Sequence, residues 1–363
     1  MNFSKKFKIL HTEASMGWGG QEIRVFKEVL MFKKHGYWIG IAAHPESKIF
    51  ENAKKQGIPV FPICFKKNSF KNVLSLLSLV KRLKVQILHT HSSWDSWVGA
   101  LVKLFYPRFK LVRTRHLSTP VKKHFLNSFL YKKSPDLIIT TGESIKKMLI
   151  SVFKIPEGKI ISIPTGIDLE EFNPEKVNPV ISDKGFIIGT VSVLRSWKGH
   201  KYLLKAIPEL VKHIPDLKVY IVGDGPQRKN LENLIKELRL NDIVKLLGHR
   251  EDVSGILASF DVLIHPSTGH EGVPQTILQA LAMKKPVIAT NVGSIPQVIK
   301  HLETGFLIPP KDSAAIKKAI LYVYENLNLA KLWGEKGHHL VKENYSLEKM
   351  FKEIESLYKN LLI

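Results

Sequence analysis

The chain has 363 residues, 44% of them apolar and 24% charged, which excludes a mainly disordered or fibrous polypeptide. A single cysteine, Cys64, excludes an intrachain disulfide and a cysteine-based zinc site. The net charge of +23 is unevenly held: residues 1–170 carry 29 basic against 11 acidic groups, residues 171–363 carry 26 against 21.

In chain order, short apolar runs alternate with amphipathic segments of helical length. Lys8–Leu10 reads as a strand and Gln21–His35 as a helix; Trp38–Ala42 and Ser47–Gln56 repeat the pair. A helix over Asn72–Leu83 precedes strands at Gln86–His89, Lys110–Arg113 and Leu137–Thr140. The pattern then restarts. Phe186–Leu194, Lys218–Val222, Val244–Leu246, Val262–His265 and Val287–Thr290 read as strands. His200–His213, Gln227–Leu238, Asp252–Ser259 and Gln275–Met283 read as the helices between them.

This alternation predicts two doubly wound, Rossmann-like α/β domains, with ligand bound in a cleft between them. The expected boundaries are 1–168 for the first domain, 169–184 for a polar linker with two prolines, and 185–345 for the second. Residues 346–363 form a last helix, on which Leu347, Met350, Phe351, Ile354, Leu357, Tyr358 and Leu361 share one apolar face. No window of 18 apolar residues occurs, and the first ten residues lack the apolar stretch of a signal peptide. The expected location is cytoplasmic.

Four loops carry chemistry. Met16–Glu22, with Gly17, Gly19 and Gly20, joins the first strand to the first helix, where free N–H groups suit an anion. It is not the GxGxxG dinucleotide fingerprint. Leu194–His200 places Arg195 and Lys198 at the end of a strand, and two cations there suit a diphosphate. Ile221–Pro226 is a strand followed by a turn through Gly223 and Gly225. His265–Ala280 runs from a strand through a glycine turn holding Glu271 into a helix near Gln275; Gly272 and the amides after it form another anion-ready helix start. His89 and His91 at a strand end, and Trp94 and Trp97 after it, read first as packing residues.

Taken together these segments resemble the retaining nucleotide-sugar glycosyltransferases of family 4, which have the GT-B fold. The resemblance runs through Gly19-Gly20-Gln-Glu22, His89-Thr-His91, Ile163–Asp168, Lys198-Gly199, Gly223–Pro226, Leu247-Gly248, Pro266-Ser-x-x-x-Glu271-Gly272 and Thr304–Asp312. It implies that Glu271 holds hydroxyls of the donor sugar and that Arg195 and Lys198 grip the leaving diphosphate. Gly19 and Gly20 close against that diphosphate, and His116 lies beside the reacting sugar. Donor contacts extend to Gly223, to Gly248, His249 and Arg250 beside the base, and to Gly272, Val273, Pro274, Gln275 and Gln279. The last helix is implied to cross back to the first domain. Two departures stand out. Gln279 occupies the place of a second glutamate that binds the donor ribose, and Arg195 lies closer to Lys198 than the family arginine does.

The resemblance implies a donor that is a UDP- or GDP-sugar, an acceptor that is a glycan or lipid-linked glycan, and no cofactor or metal ion. A role in making lipopolysaccharide or another surface polysaccharide follows. The basic excess belongs to the half that takes the acceptor, and in residues 103–133 aromatics interleave with cations. That pattern predicts peripheral contact with an anionic membrane surface, on its inner face. Three other readings compete: a non-catalytic GT-B subunit, suggested by Gln279; a nucleic-acid binder, suggested by the charge but leaving Glu271 unexplained; and a sugar-nucleotide epimerase.

Overall fold

The computed structural model describes residues 6–65, 70–269 and 271–363. The first five residues and His270 of the glycine turn lie outside them. The chain divides into two units: residues 1–166 with 347–363, and residues 167–346.

Among the described residues the first unit holds seven strands: β1 (Lys8–Glu13), β2 (Trp38–Ala43), β3 (Val60–Pro62), β4 (Ile87–Thr90), β5 (Lys110–Arg115), β6 (Leu137–Thr140) and β7 (Ile160–Ser162). Its helices are α1 (Gly20–Lys34), α2 (Lys48–Lys55), α3 (Phe70–Leu83), α4 (Ser93–Phe105), α5 (Phe125–Ser128) and α6 (Glu143–Phe153). The strands form one parallel sheet in the order β3-β2-β1-β4-β5-β6-β7. The order reverses between β1 and β4. In such sheets loops diverge at the carboxyl ends of the two strands flanking the reversal, and ligands bind there.

The second unit repeats the plan with β8 (Ile187–Val191), β9 (Lys218–Val222), β10 (Val244–Gly248), β11 (Val262–His265), β12 (Val287–Thr290) and β13 (Phe306–Ile308). Its helices are α7 (His200–Leu210), α8 (Arg228–Glu237), α9 (Val253–Ser259), α10 (Gln275–Ala282), α11 (Ser313–Glu325) and α12 (Leu327–Asn344). The sheet is parallel, ordered β10-β9-β8-β11-β12-β13, and reverses between β8 and β11. Strands such as Ile188-Gly-Thr190 and Val287-Ile-Ala-Thr290 are buried along their length, because helices cover both faces.

The last helix, α13 (Leu347–Leu362), belongs to the first unit. Leu347, Met350, Phe351, Ile354 and Tyr358 are buried there beside Val25, Val29 and Phe32 of α1. Phe351 meets Phe32 edge to face at 4.9 Å and stacks on His35 at 3.9 Å. Burying a side chain of this size contributes about 2 kcal/mol, so the apolar face seen in the sequence is what ties the terminus down.

The expected linker is corrected by the structure. Residues 169–184 are part of the second unit, and the division falls at Gly166 and Ile167. Phe172 is buried in that unit's core, the N–H groups of Val180 and Ile181 donate to Ser259 Oγ, and Asp183 accepts from Tyr220 and Lys245. A polar, proline-bearing stretch without periodicity reads as a linker, yet its backbone groups find partners on the domain it leads into.

Candidate functional site

Reversal of the second sheet between β8 and β11 brings the loop after β8 beside the loop after β11. One backbone approach fits them together, and a second fits the loop after β12 against the loop after β11. Gly199 sits at φ 74°, and a Cβ there would stand 1.9 Å from the Pro266 carbonyl oxygen. Gly293, at φ 58°, approaches Glu271 so closely that a Cβ would lie 2.1 Å from its carbonyl oxygen. Only glycine fits both positions. Thr268 N–H donates to the Trp197 carbonyl at 2.7 Å, and Thr290 Oγ1 donates to the Ser267 carbonyl.

The consequence is an ion pair formed by residues 73 positions apart. Lys198 Nζ stands 2.6 Å from Glu271 Oε1, with 18% of the lysine and 8% of the glutamate side chain exposed. Ser267 Oγ donates to the same oxygen at 2.6 Å, and His265 Nε2 lies 3.4 Å from it. Burial pushes the Glu271 carboxyl up, but Lys198 and His265 outweigh it and hold the pKa at about 2. Burial lowers His265, and it lowers His200 to about 3, so both rings are neutral at physiological pH. The arrangement presents a fixed carboxylate and an ammonium at the mouth of a parallel sheet.

Other residues marked in the sequence lie on loops, at the end of β10 and on α10 of the same unit. Arg195 is exposed, its guanidinium 5.0 Å from the Trp197 ring. Gly223 N–H donates to the Gly248 carbonyl at 2.7 Å, joining the turns after β9 and β10. His249 is exposed, and Arg250 is spanned by both carboxylate oxygens of Asp252. Gly272 and Pro274 are buried, and the Val273 side chain lies in the core, so these three offer backbone rather than side chains. Gln275 opens α10, while Gln279, one turn on, is half-buried and its side-chain amide has no hydrogen-bond partner among the described residues.

In the first unit, Gly19 caps α1 and its N–H donates to Glu22 Oε2 at 2.8 Å. Gly20 is the first helical residue, and neither position carries a side chain over the helix start. Beside this loop lies a buried polar group. Glu13 accepts from Ser92 and Gln21, and Asp95 accepts from Thr12 Oγ1 and the N–H groups of His91 and Ser92. Burial and the charge of Glu13 push Asp95 up to about 8.

His116 follows β5 and is half-buried. Its Nε2 is 3.2 Å from His91 Nδ1, and His91 Nε2 is 2.8 Å from His11 Nδ1. The packing role read for His89 and His91 is thus only part of their surroundings, since they join a network with His11, Glu28 and Tyr358. Its signal in the sequence was three histidines at strand ends; register supplied the rest, since His11 and His89 are paired across β1 and β4. Nitrogens of His11, His89 and His91 lie within 4.8 Å of one another. His11 and His91 hydrogen-bond each other, while the two nitrogens of His89 meet Thr114 Oγ1 and Tyr358 OH.

Comparison with known proteins follows the same division. Residues 18–171 match the family described as Glycosyltransferase Family 4, and residues 171–340 match Glycosyl transferases group 1. The chain is a glycosyltransferase of the family 4 type, with the GT-B fold. It uses a nucleotide-sugar donor. It is 27% identical over 312 residues to the Escherichia coli UDP-Gal:alpha-D-GlcNAc-diphosphoundecaprenol alpha-1,3-galactosyltransferase, covering 81% of this chain and 80% of that one. A crystal structure of a glycosyltransferase from Rickettsia africae superposes with a TM-score of 0.89 at 25% identity, over 99% of each chain. The Anabaena protein HepE in complex with UDP-glucose superposes with a TM-score of 0.84 at 21% identity, over 97% of this chain and 99% of that one.

Proposed function

We propose that this glycosyltransferase moves a sugar from a UDP-sugar to a lipid-linked glycan with retention of anomeric configuration, in the synthesis of lipopolysaccharide or another surface polysaccharide. The observation that carries the site assignment is the buried Lys198–Glu271 pair at the reversal of the second sheet. In this reading the Glu271 carboxylate accepts hydrogen bonds from two hydroxyls of the donor sugar. Lys198, with Arg195, meets the diphosphate as negative charge develops on it, an electrostatic stabilisation that requires no metal ion. Gly19 and Gly20 leave the α1 start open to the same diphosphate, and His116 meets the reacting sugar. The turns at Gly223 and Gly248–Arg250 take the base through backbone, and Gln279 takes the ribose through its amide.

A uridine donor is favoured over guanosine by the UDP-glucose complex of HepE and by the name of the Escherichia coli relative, which also supports a diphospholipid acceptor. The first unit takes that acceptor at a membrane surface. Leu104, Phe105, Phe125 and Leu126 are 53–78% exposed, among the exposed cations Arg108, Lys122, Lys123, Lys132 and Lys133. Phe109, Arg113 and Tyr131, in the same stretch, are buried and drop out of that face. No helix among the described residues is long and apolar enough to cross a membrane. Each cation near an anionic surface contributes about 1 kcal/mol, so five suffice for reversible attachment.

The test of the site is thermal shift with UDP, GDP, UDP-glucose, UDP-N-acetylglucosamine and GDP-mannose, followed by transfer assays of Glu271→Gln. A uridine ligand at 100 times its Kd adds about 2.7 kcal/mol. Loss of two charge-assisted hydrogen bonds lowers kcat/KM of the variant by at least about a hundredfold. Wild-type transfer by Glu271→Gln refutes the site. Flotation with anionic vesicles at low salt tests the surface, and absence of binding refutes it.

A further inference from the structure

The histidines at the end of the first sheet form a line with a direction. His11 and His91 lie within 9° of parallel, with centroids 5.1 Å apart and facing nitrogens 2.8 Å apart, the spacing of imidazoles joined edge to edge. His91 then meets His116 through its other nitrogen at 3.2 Å. At the inner end, His11 Nε2 has no hydrogen-bond partner among the described residues and faces Glu28 Oε1 at 3.8 Å. At the outer end, His116 Nδ1 has no partner among the described residues.

Each neutral imidazole has one N–H and one lone pair, so a chain of three can be ordered in only two ways. All three are neutral: burial lowers His11 to about 3 and holds His91 and His116 well below the ordinary range, with the buried Arg24 opposing protonation of both. The Glu28 carboxylate is ionised. Burial raises its pKa, but His89, His11 and Arg24 outweigh this and hold it at about 2, and Tyr358 OH donates to it at 3.2 Å. His89, Glu28 and Arg115 also act on the outer ring, His89 and Arg115 opposing its protonation and Glu28 favouring it.

An anion facing His11 Nε2 favours the proton on that nitrogen. His11 Nδ1 is then an acceptor, His91 donates to it from Nε2 and accepts at Nδ1, and His116 donates from Nε2. We propose that His11 and His91 are positioning residues that carry the polarity of Glu28 to His116, so that the His116 Nδ1 lone pair accepts a hydrogen bond from a sugar hydroxyl. The catalytic consequence rests on the proposed function, in which His116 meets the reacting sugar. The ordering of the chain does not.

The experiment is long-range proton–nitrogen NMR of the full chain labelled with ¹⁵N in histidine, at pH 7.5. His116 is assigned by loss of its signals in His116→Asn. The expected result is the Nε2–H form for His11, His91 and His116, with nitrogen–nitrogen couplings across both hydrogen bonds. In His11→Phe the coupling to His91 is lost and an Nδ1–H population appears at His116. Glu28→Gln, closer in shape to the native residue, produces the same population and covers the case in which His11→Phe does not fold. With the donor selected above, Glu28→Gln lowers kcat about tenfold and leaves the donor KM unchanged. The Nδ1–H form of His116 in the native protein, or spectra unchanged in both variants, overturns the proposal. So does a stoichiometric divalent metal in the purified protein, which would occupy His11 Nδ1 and His91 Nε2. Wild-type transfer by Glu271→Gln would refute the proposed function while leaving these spectra as they are, so the two ideas fail separately.

Discussion

Replacing Lys198 with alanine leaves the Glu271 carboxylate in place with its main counter-charge removed. The pair is 2.6 Å long, and neither side chain is more than a fifth exposed. Stranding one member of a buried pair costs roughly 3–5 kcal/mol. Ser267 and His265 remain beside the same oxygen, and the space left by Lys198 admits water, so the expected cost is at the low end, about 3 kcal/mol. In a unit of this size each kcal/mol moves Tm by about 2–4 °C, which gives a fall of about 6–12 °C at pH 7.5.

The pH dependence carries a sign that loss of packing does not. In the native chain Glu271 titrates at about 2, below its ordinary 4.5, so its stabilisation is present above 4.5 and lost as pH falls toward 2. Without Lys198 burial dominates and the pKa rises. The variant is then most stable below the ordinary value and loses stability as pH rises. The Tm gap between native and variant therefore narrows from pH 7.5 to pH 5. Lys198→Met with Glu271→Gln recovers much of the loss, because no buried charge remains. The assay is calorimetry of all three proteins at both pH values. An unchanged Tm in Lys198→Ala, or a gap that widens on acidification, refutes the argument.

Two further outcomes follow. Phe351→Ala removes a fully packed ring from between Phe32 and His35 and lowers stability by about 3–4 kcal/mol, read by denaturant unfolding of the first unit; a loss below about 1 kcal/mol would mean that α13 is not anchored there. Gln279→Glu, which adds a charge where a neutral amide stands, keeps transfer intact and tightens donor binding by about 1 kcal/mol in calorimetric titration, and a large loss of activity would give Gln279 another role.

Much of the architecture was legible before the structure because strand and helix signals are local. Val262–His265 and Val287–Thr290 coincide with β11 and β12, and the apolar face of Leu347–Leu362 lies buried as its spacing implied. Helices α4, α6, α11 and α12 were not expected. The start of α11 was signalled by Asp312, whose carboxylate accepts from Ala315 N–H, and that of α4 by Ser92 with Asp95 three residues on.

Residue types and order along the chain determined the two parallel α/β domains and the glycine turns, because periodicity and turn chemistry are local. The choice of Glu271, Lys198 and His116 came from the resemblance of the motifs around them to those of a known family. Tertiary structure alone decided which groups meet. The pairing of Lys198 with Glu271, the attachment of residues 169–184 to the second unit, and the line from Glu28 through His11 and His91 to His116 all join positions far apart in the chain. Strand order and register set these distances, and burial then sets the charge each group bears, so neither could be read from local pattern.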